Sequence, residues 1–480
     1  MSSVFPKLRP LIGEIAVIVL LACGISQRVE GAGTNTVTLS PGDNIQSAVN
    51  GAPAGTTFEL EPGVYRMQSV QPKKGDIFTG TGTVVLNGSE VLSFTPVSAG
   101  SALWVAHAVA SPHDGGQCQT THPLCTYDQD LFVDGAIQTP VSSLAGLKAG
   151  EWYFDRANSK VYLPSNPGTG MAELGTSTFA FYGAASGVQI KNLTVQEYAS
   201  LAQTGTVGGY KDGANWIVSQ VEAKWNHGTG ISLGPGGQIL NSYSHNNGQM
   251  GVGIVGGANS KVIGNEISWN NYAGYTTSWE AGGSKFWMTT NLVVESNYVH
   301  DNYGNGLWTD CDNVGTLYES NTVINNAGSG ILHEISYKAV ITGNTVEGNS
   351  VVADSDSTLW NSQIVLANSQ NVDVYGNTVQ AAADGGNGIG LINEQRGTGT
   401  LGVWAAANNV VYSNTITYLG AAGTSGIMTS SGGPSAPGNR FDYNKYILAE
   451  AGSVHWAWLK PVDWTQLHAA GQELHGSTSK

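Results

Sequence analysis

Charge is scarce in this sequence, and cationic residues are the scarcest. Lysine and arginine together number 20, against 35 aspartates and glutamates, so the formal net charge is −15. Proteins that bind nucleic acid present a basic patch, and the sequence shows none, so we expect no nucleic-acid partner. The same balance disfavours a polyanionic substrate, because long-range repulsion would oppose its approach.

The N-terminal apolar run is short. The run IAVIVLLAC follows Lys7 and Arg9, and it falls well below the roughly 20 apolar residues that span a membrane. It predicts an export signal over residues 1–31, and therefore a protein that is secreted, periplasmic or on the cell surface. Two alternatives stay open: membrane anchoring through a lipidated Cys23, whose preceding residues resemble a lipoprotein processing box, or release by cleavage near Ala32.

Cysteines are few as well. Of the four, Cys118 and Cys125 close the short segment CQTTHPLC, which predicts a disulfide formed in an oxidising compartment. A metal site that adds His113 and His122 is the alternative. Cys311 is predicted to be a small core residue.

Glycine, in contrast, is abundant at 65 residues, and turn-forming pairs separate short β-rich runs, which predicts many strands and turns. From residue 186 onward an asparagine recurs with a base period of about 23 residues. Without helical or blade signatures, this period predicts an all-β, parallel β-helix solenoid. The recurring side chains are expected to stack as a ladder from coil to coil: Asn192, Gln220, Asn241, Asn265, Asn297, Asn321, Asn344, Asn377, Asn414 and Asn444.

The pattern divides the rest of the chain. Residues 34–100 are expected to hold an N-terminal cap helix and the first coils, with Asp43 as N-cap and with Ile45 and Val49 as the buried face. Such a helix would cover the open end of the solenoid. The remaining expected parts are an inserted β subdomain at 101–180, the coils at 181–450, and an aromatic C-terminal cap or tail at 451–480.

Two acidic residues occupy the same place in successive repeats, Asp310 in GLWTDCD and Glu334 in GILHEIS. Neighbouring strands lie about 4.7–4.9 Å apart, close to the roughly 5–5.5 Å that separates the carboxyl groups of retaining glycosidases. Strand alternation predicts Trp308, Asp310 and Asp312 on the outer face. The inner face is then expected to carry Leu307, Ile331, His333 and Ile335.

The preceding coil adds residues to this cluster. Counting residues from the ladder asparagine aligns Glu280 with Asp312. The run Asp-Cys-Asp at 310–312 leaves Asp312 as a competing nucleophile. Crowded carboxylates should raise at least one pKa, which separates an acid from a nucleophile. Calcium binding and simple solvation of an acidic surface are the alternatives. The expected substrate-binding residues are Glu280, Lys285, Trp308, Trp279, His333 and Arg396.

Several stretches resemble a known group: DNIQSAV and AGTTFELEPGVY, then LFVDG and GEWYFDRANSKVYL, then GLWTDCD and GILHEIS. They are similar to right-handed parallel β-helix proteins of bacterial carbohydrate metabolism, including β-xylosidase-like glycoside hydrolases and the wider pectate-lyase-like superfamily. In those hydrolases an Asp on one coil is the nucleophile and a Glu on the next is the acid/base. The resemblance implies these roles for Asp310 and Glu334.

The sequence therefore predicts an exported, monomeric glycoside hydrolase that acts on a polysaccharide or oligosaccharide without a required cofactor. A polysaccharide lyase or uronate epimerase is one alternative, with Lys285 or His333 as base and with Arg396 or Ca²⁺ neutralising the uronate. A glycan-binding solenoid without activity is the other.

Overall fold

The computed structural model describes residues 35–480 except 112–114, 352–358, 431 and 451–453. The predicted export signal, including Cys23, lies outside the described residues, and so does His113. Within the described ranges there are three short helices, Ile45–Gly51, Thr277–Glu280 and Trp464–Ala469. None of the described helices is long and apolar enough to cross a membrane.

The chain winds into stacked coils, and a typical coil contributes three strands. One coil contains Val293–Glu295, Tyr298–His300 and Leu307–Asp310. Each of these strands pairs in parallel with its counterpart one coil further on. This stacking confirms the predicted all-β, parallel β-helix.

The first two strands of the coils form one ladder system of 24 strands, and the third strands form an 11-stranded sheet. The 24 strands are Thr36–Leu39, Thr57–Leu60, Gly63–Arg66, Ile77–Gly80, Val84–Asn87, Gln189–Gln196, Ile217–Lys224, Gln238–Leu240, Tyr243–His245, Lys261–Ile263, Glu266–Ser268, Val293–Glu295, Tyr298–His300, Leu317–Glu319, Thr322–Ile324, Val340–Thr342, Thr345–Glu347, Asp373–Tyr375, Thr378–Ala381, Val410–Tyr412, Thr415–Tyr418, Arg440–Asp442, Lys445–Leu448 and Ser477–Ser479. The 11 strands are Gly205–Val207, Thr229–Leu233, Met250–Ala258, Gly282–Thr290, Leu307–Asp310, Ile331–Glu334, Ser362–Ala367, Asn387–Asn393, Ser425–Thr429, Trp456–Trp458 and Pro461–Val462.

Two small, mainly antiparallel sheets interrupt the coils between residues 89 and 175, and so include two strands before residue 101. One sheet contains Ser89–Leu92, Leu131–Val133, Ala136–Ile137 and Ala172–Gly175. The other contains Thr95–Pro96, Trp104–His107, Thr139–Val141, Glu151–Asp155 and Lys160–Leu163. We call residues 89–175 the insert. A separate two-stranded hairpin joins Thr398–Gly399 to Gly402–Val403.

Alternate residues of each strand point into the solenoid. In one coil Val294, Val299 and Leu307 are all fully buried in one continuous apolar core. Burying a side chain of this kind stabilises a fold by about 1.5–3 kcal/mol. Because the repeat supplies such residues in every coil, the core extends along the whole solenoid.

The asparagine ladder is confirmed from Asn265 onward. Each Nδ2 donates to the Oδ1 of the next member at 2.9 Å, through Asn297, Asn321, Asn344, Asn377, Asn414 and Asn444. The three earlier members were predicted wrongly. Asn192, Gln220 and Asn241 lie one position before the ladder, in left-handed backbone with φ of 57°, 55° and 46°. Asparagine is favoured in that left-handed turn conformation as well as in the ladder. Residue type alone therefore could not distinguish the two neighbouring positions.

A second ladder is present that the sequence analysis did not predict. Buried side-chain amides link Asn226, Asn247, Asn270, Asn302, Asn326, Asn349 and Gln363 at 2.8–3.0 Å. Four of its members, Asn270, Asn302, Asn326 and Asn349, each lie five residues after an asparagine of the first ladder, and this spacing was the available signal. Each buried amide gains partners that it would otherwise lack, a difference of about 1–3 kcal/mol.

The N-terminal helix lies where the sequence predicts it, and Ile45 and Val49 are buried. Its N-cap is Asn44, whose Oδ1 accepts from the backbone of Ser47 at 2.7 Å. Asp43 was the wrong choice, because its carboxylate instead accepts from the backbone of Ser40 at 2.8 Å. The role of this helix as a cap stays a prediction.

Candidate active site

Asp310 and Glu334 lie directly opposite each other on neighbouring parallel strands of the 11-stranded sheet. Leu307 and Thr309 on the first strand are fully buried in the interior, so alternation puts both carboxylates on the outer face. The strand spacing is about 4.8 Å. The predicted register of the two carboxylates is therefore confirmed.

Lys285 lies between two carboxylates on this face. Its Nζ is 3.0 Å from Oδ2 of Asp310 and 3.2 Å from Oε1 of Glu280, and it sits 4.1 Å from the ring centroid of Trp308. Burial alone would lower the pKa of Lys285, but Glu280 and Asp310 outweigh it and raise the pKa above its ordinary value. Lys285 is therefore a fixed cation at neutral pH.

Asp310 uses its two oxygens differently. Oδ2 pairs with Lys285, whereas Oδ1 is buried and has no hydrogen-bond partner among the described residues. A buried acceptor without a partner is rare in folded proteins. Oδ1 is therefore the oxygen of Asp310 whose hydrogen-bonding capacity is unused among the described residues.

Glu334 is held at both oxygens. Oε1 pairs with Nη2 of Arg396 at 2.6 Å, and Oε2 accepts from Nε1 of Trp308 at 3.1 Å. Burial, followed by the charge of Asp310, raises the pKa of Glu334 above its usual 4.5, although Arg396 opposes the shift. A raised pKa is the property of a carboxyl group that donates a proton.

Glu280 belongs to the acidic cluster, but it reaches the cluster from a short helix and not from the position predicted to align with Asp312. It ends the short helix Thr277–Glu280, and its carboxylate accepts from the side-chain amide of Gln203 as well as pairing with Lys285. Burial raises the pKa of Glu280, with Lys285 opposing. The predicted alignment of Glu280 with Asp312 is wrong, because Gly282 faces Asn305 in the next coil and Glu280 precedes the strand.

Asp312 does not share the face of Asp310, and its prediction as a competing nucleophile is wrong. Cys311 and Asp312 both adopt left-handed backbone, with φ of 62° and 57°, so strand alternation ends at Asp310. The Asp312 carboxylate accepts from the backbone of Thr400 at 3.1 Å and from Nε1 of Trp404 at 3.0 Å. Asp312 therefore anchors a neighbouring hairpin. Cys311 is half-buried, so the prediction that it lies in the core is wrong.

The same turn in the next coil reverses a further expectation, the inward position of Ile335. Ile335 has a φ of 37° and lies outside the main core. Ser336 is fully buried, and its Oγ donates to the carbonyl of Glu334 at 2.7 Å. Alternation thus predicts side-chain direction only as far as the last residue of each strand.

His333 faces the interior. Its Nδ1 lies 2.6 Å from Oγ1 of Thr309, and complete burial lowers its pKa to about 3. The inward orientation is confirmed, and the predicted contact between His333 and a substrate is wrong.

Two tryptophans predicted as sugar-binding surfaces are packed against protein. Trp308 is 4% exposed and belongs to an apolar cluster with Leu332. Trp279 stacks on Tyr275 at 5.8 Å and packs against the Cys118–Cys125 pair. Trp308 therefore positions Glu334, whereas Trp279 supports the segment before Glu280.

The disulfide between Cys118 and Cys125 is formed, as predicted. Its loop pairs with the segment that leads to Glu280, because the backbone of Thr276 donates to Gln117 at 2.8 Å. Among the described residues, no group of three or more His, Cys, Asp or Glu side chains is arranged to hold a metal ion. The site carboxylates are instead paired with Lys285 and Arg396.

A pocket of about 240 Å³ opens beside Glu280 and Lys285 and is also lined by Gln203, Tyr210 and Trp287. Trp287 pairs in register with Asp310. Sequence reasoning missed Gln203 and Tyr210, because they flank the strand Gly205–Val207 and counting from the recurring asparagine gives such flanking residues no register. Their polar and aromatic character next to the acidic motif was the weak signal available.

The comparisons agree with this architecture. The family described as right handed beta helix region matches residues 209–379, and no curated protein matches the chain by sequence. A solved complex of XylC with xylose is similar at 16% identity and a TM-score of 0.67, covering 86% of this chain and 82% of that one. The protein thus has the right-handed parallel β-helix fold.

Two further solved structures are similar only at TM-scores below 0.5. One is a glycoside hydrolase, with 10% identity, a TM-score of 0.47 and coverage of 87% of this chain and 97% of that one. The other is a mannuronan C-5 epimerase A-module from Azotobacter vinelandii, with 14% identity, a TM-score of 0.42 and coverage of 94% and 98%.

Proposed function

We propose that this protein is a glycoside hydrolase that retains the configuration of its sugar, with Asp310 as nucleophile and Glu334 as acid/base. The observation that carries the proposal is the in-register pairing of these two carboxylates in opposite environments. One has a buried oxygen without a partner, and the other has a raised pKa. Neighbouring strands lie about 4.8 Å apart, and side chains that leave them in register on one face suit the roughly 5–5.5 Å between carboxyl groups in double displacement better than the roughly 6.5–9.5 Å of inversion.

In the first step Oδ1 of Asp310 attacks the anomeric carbon while the bond to the leaving oxygen breaks. Glu334 transfers its proton to that oxygen, so the alcohol leaves neutral and a glycosyl ester of Asp310 forms. In the second step the Glu334 carboxylate takes a proton from water, and the resulting oxygen attacks the anomeric carbon. The Asp310 carboxylate is released, and Glu334 is protonated again.

The surrounding residues prepare this pair. Lys285 pairs with Oδ2 of Asp310 and so fixes the orientation of that carboxylate. Trp308 holds the Glu334 carboxyl group through its indole N–H. Arg396 limits the rise of the Glu334 pKa, which lets the residue serve as acid and then as base.

The proposed substrate is a neutral glycoside. Both cations at the centre of the site, Lys285 and Arg396, are already paired with protein carboxylates, which leaves no evident partner there for a uronate. The pocket of about 240 Å³ is lined by Lys285 and by Trp287, the register partner of Asp310, but not by Asp310 or Glu334 themselves. It is smaller than the roughly 300–1,000 Å³ typical of drug-sized ligands, so it would hold one sugar ring next to the pair. The XylC complex makes xylosides the first substrates to test. Action outside the cell on oligosaccharides or polysaccharides belongs to the same proposal.

A lyase or epimerase mechanism has less support. His333 lies in the interior, and the raised pKa of Lys285 opposes its use as a base at neutral pH. Arg396 is committed to Glu334. These three observations disfavour the base and the uronate partner predicted from the sequence. Lys211, which lies over the Trp287 ring at 4.8 Å, is a further cation near the pocket.

The test compares Asp310→Asn and Glu334→Gln with Asp312→Asn, using nitrophenyl xyloside, arabinoside and glucoside. The first two variants should lose at least about 100-fold in kcat/KM, whereas the third should stay within a few-fold of the wild-type enzyme. Proton NMR of the first product should show the anomer of the substrate. Full activity of either pair variant would refute the assignment, and the opposite anomer would refute retention.

A further inference from the structure

A second, larger cavity lies apart from the proposed catalytic pair. Its volume is about 450 Å³, within the roughly 300–1,000 Å³ range of ligand pockets. The disulfide-closed loop, the insert and two coil turns surround it, and it shares no lining residue with the pocket beside Lys285. We call it the insert pocket; its lining includes Leu124, Asp130, Val141, His227 and Tyr272.

A buried polar group lies in this lining. Oδ2 of Asp130 accepts from Nδ1 of His227 at 2.8 Å and from the hydroxyl of Tyr272 at 2.6 Å. Nε2 of His227 lies 2.8 Å from the carbonyl of Cys125, so both ring nitrogens face acceptors. Asp130 and His227 are 6% and 2% exposed. The group is thus a rigid ion pair with no net charge.

The rest of the lining combines apolar walls with neutral hydrogen-bonding groups. Apolar surface comes from Pro123, Leu124, Ile137, Pro140 and Val141, and neutral polar groups come from Thr121, Gln138, Thr139 and Ser142. None of the described residues that line the cavity is a lysine or an arginine. Such a surface suits a neutral ligand rich in hydroxyl groups and does not suit an anion.

An aromatic row leads from this cavity along the coils. Trp225 lies next to Tyr272, with ring centroids 5.6 Å apart. In the strand registers Trp225 and Trp269 follow paired positions two coils apart, a distance of about 10 Å. Trp269 and Tyr303 are 41% and 47% exposed, and their rings are 6.3 Å apart. Exposed rings on successive coils provide flat apolar surface of the kind that sugar rings cover.

We propose that the insert pocket and the row of Trp225, Trp269 and Tyr303 form an auxiliary binding site for a neutral polysaccharide chain. One end of the chain enters the pocket, and successive sugar rings lie on the row. The choice of ligand rests on the proposed function, because it is the polymeric form of the proposed substrate. The auxiliary site would keep the enzyme on the polymer between cleavage events.

Binding is tested in the Glu334→Gln background, so that hydrolysis does not enter the result. Affinity electrophoresis in gels containing soluble xylan, mixed-linkage glucan or mannan measures retardation. The double variant Trp269→Ala/Tyr303→Ala should bind at least about five-fold more weakly, since it removes both exposed rings of the row. Val141→Trp, which fills the cavity, should weaken binding by a similar factor.

Tyr375→Ala/Tyr412→Ala is the matched control, because it removes another stacked aromatic pair, 5.0 Å apart, from a different part of the coils. It should bind as the parent does. With Glu334 present, the aromatic-row variant should cleave nitrophenyl glycosides at the parent rate, which also shows that it is folded. Equal binding by the row variant and its parent, or no binding to any of the three polysaccharides, would overturn the auxiliary site. Absence of cleavage with retained binding would overturn the proposed function alone.

Discussion

Two neighbouring regions of one sheet face carry opposite chemistry. Along a single register column Trp287, Asp310 and Glu334 are followed by Ala367 and Ile392. The first region is a network of paired charges. The second is an apolar cluster in which Leu332, Leu359 and Val365 are at most 3% exposed.

The backbone is equivalent in the two regions, so the difference comes from side chains and from what packs over them. In the apolar region Leu359 contributes to the cluster from outside the strands. In the charged region Lys285 pairs with Glu280 and Asp310, and Arg396 pairs with Glu334. A uniform solenoid face thus becomes a reactive site where charges replace apolar packing.

The largest effect on stability is expected from Lys285→Met. Glu280 and Asp310 would stay buried while losing their cation, and removing one partner of a buried ion pair destabilises by about 3–5 kcal/mol. Urea unfolding at pH 7 measures the loss.

The loss from Lys285→Met should shrink at lower pH. The pKa of Glu280 is already raised by burial and rises further without Lys285, so the folded state of the variant takes up a proton before the unfolded state does. Stability relative to wild type therefore recovers as the pH falls toward 5. An equal deficit at pH 7 and pH 5 would show that the pairing of charges is not what matters.

Leu332→Ala tests the apolar region. Truncating a buried leucine leaves a cavity and should destabilise by about 3 kcal/mol. The loss should depend on pH much less than that of Lys285→Met, since Leu332 itself packs against apolar side chains. A strongly pH-dependent loss in urea unfolding would remove the distinction between the two regions.

Asp312→Ala separates the two neighbouring aspartates. Its carboxylate holds the hairpin through Thr400 and Trp404, and loss of hydrogen bonds to a charged group costs about 2 kcal/mol. Turnover of nitrophenyl glycosides should change less than about three-fold, an amount below 1 kcal/mol in barrier height. A loss as large as that of Asp310→Asn would return Asp312 to the site.

The smallest of the expected effects is a shift in the pH dependence of activity, caused by Arg396→Gln. Arg396 lowers the pKa of Glu334, so its removal raises that pKa further. The proposed acid works only when protonated, and activity is therefore lost as the pH rises through this pKa. The basic limb of the pH profile for kcat/KM should move to higher pH. Arg440→Gln is the control, because Arg440 pairs with Asp442 elsewhere; an unchanged limb in Arg396→Gln would contradict the pairing.

The repeat made much of this structure predictable. The period of the asparagines predicted the coils, and the equal positions of Asp310 and Glu334 predicted their register, because hydrogen bonding in parallel strands repeats every coil. Assigning register by counting residues from the recurring asparagine failed where the local backbone departs from the repeat. It misplaced Glu280, which lies on a short helix before its strand, and Asp312, which lies in a left-handed turn.

The sequence by itself determined the solenoid, the asparagine ladder and the stacked pair, since these follow from local periodicity. Only the tertiary structure decided which carboxylate received which partner. Gln203 and Arg396 reach Glu280 and Glu334 from segments 77 and 62 residues away. Contacts of this kind depend on how loops pack on the finished coils, and no repeat in the chain encodes them.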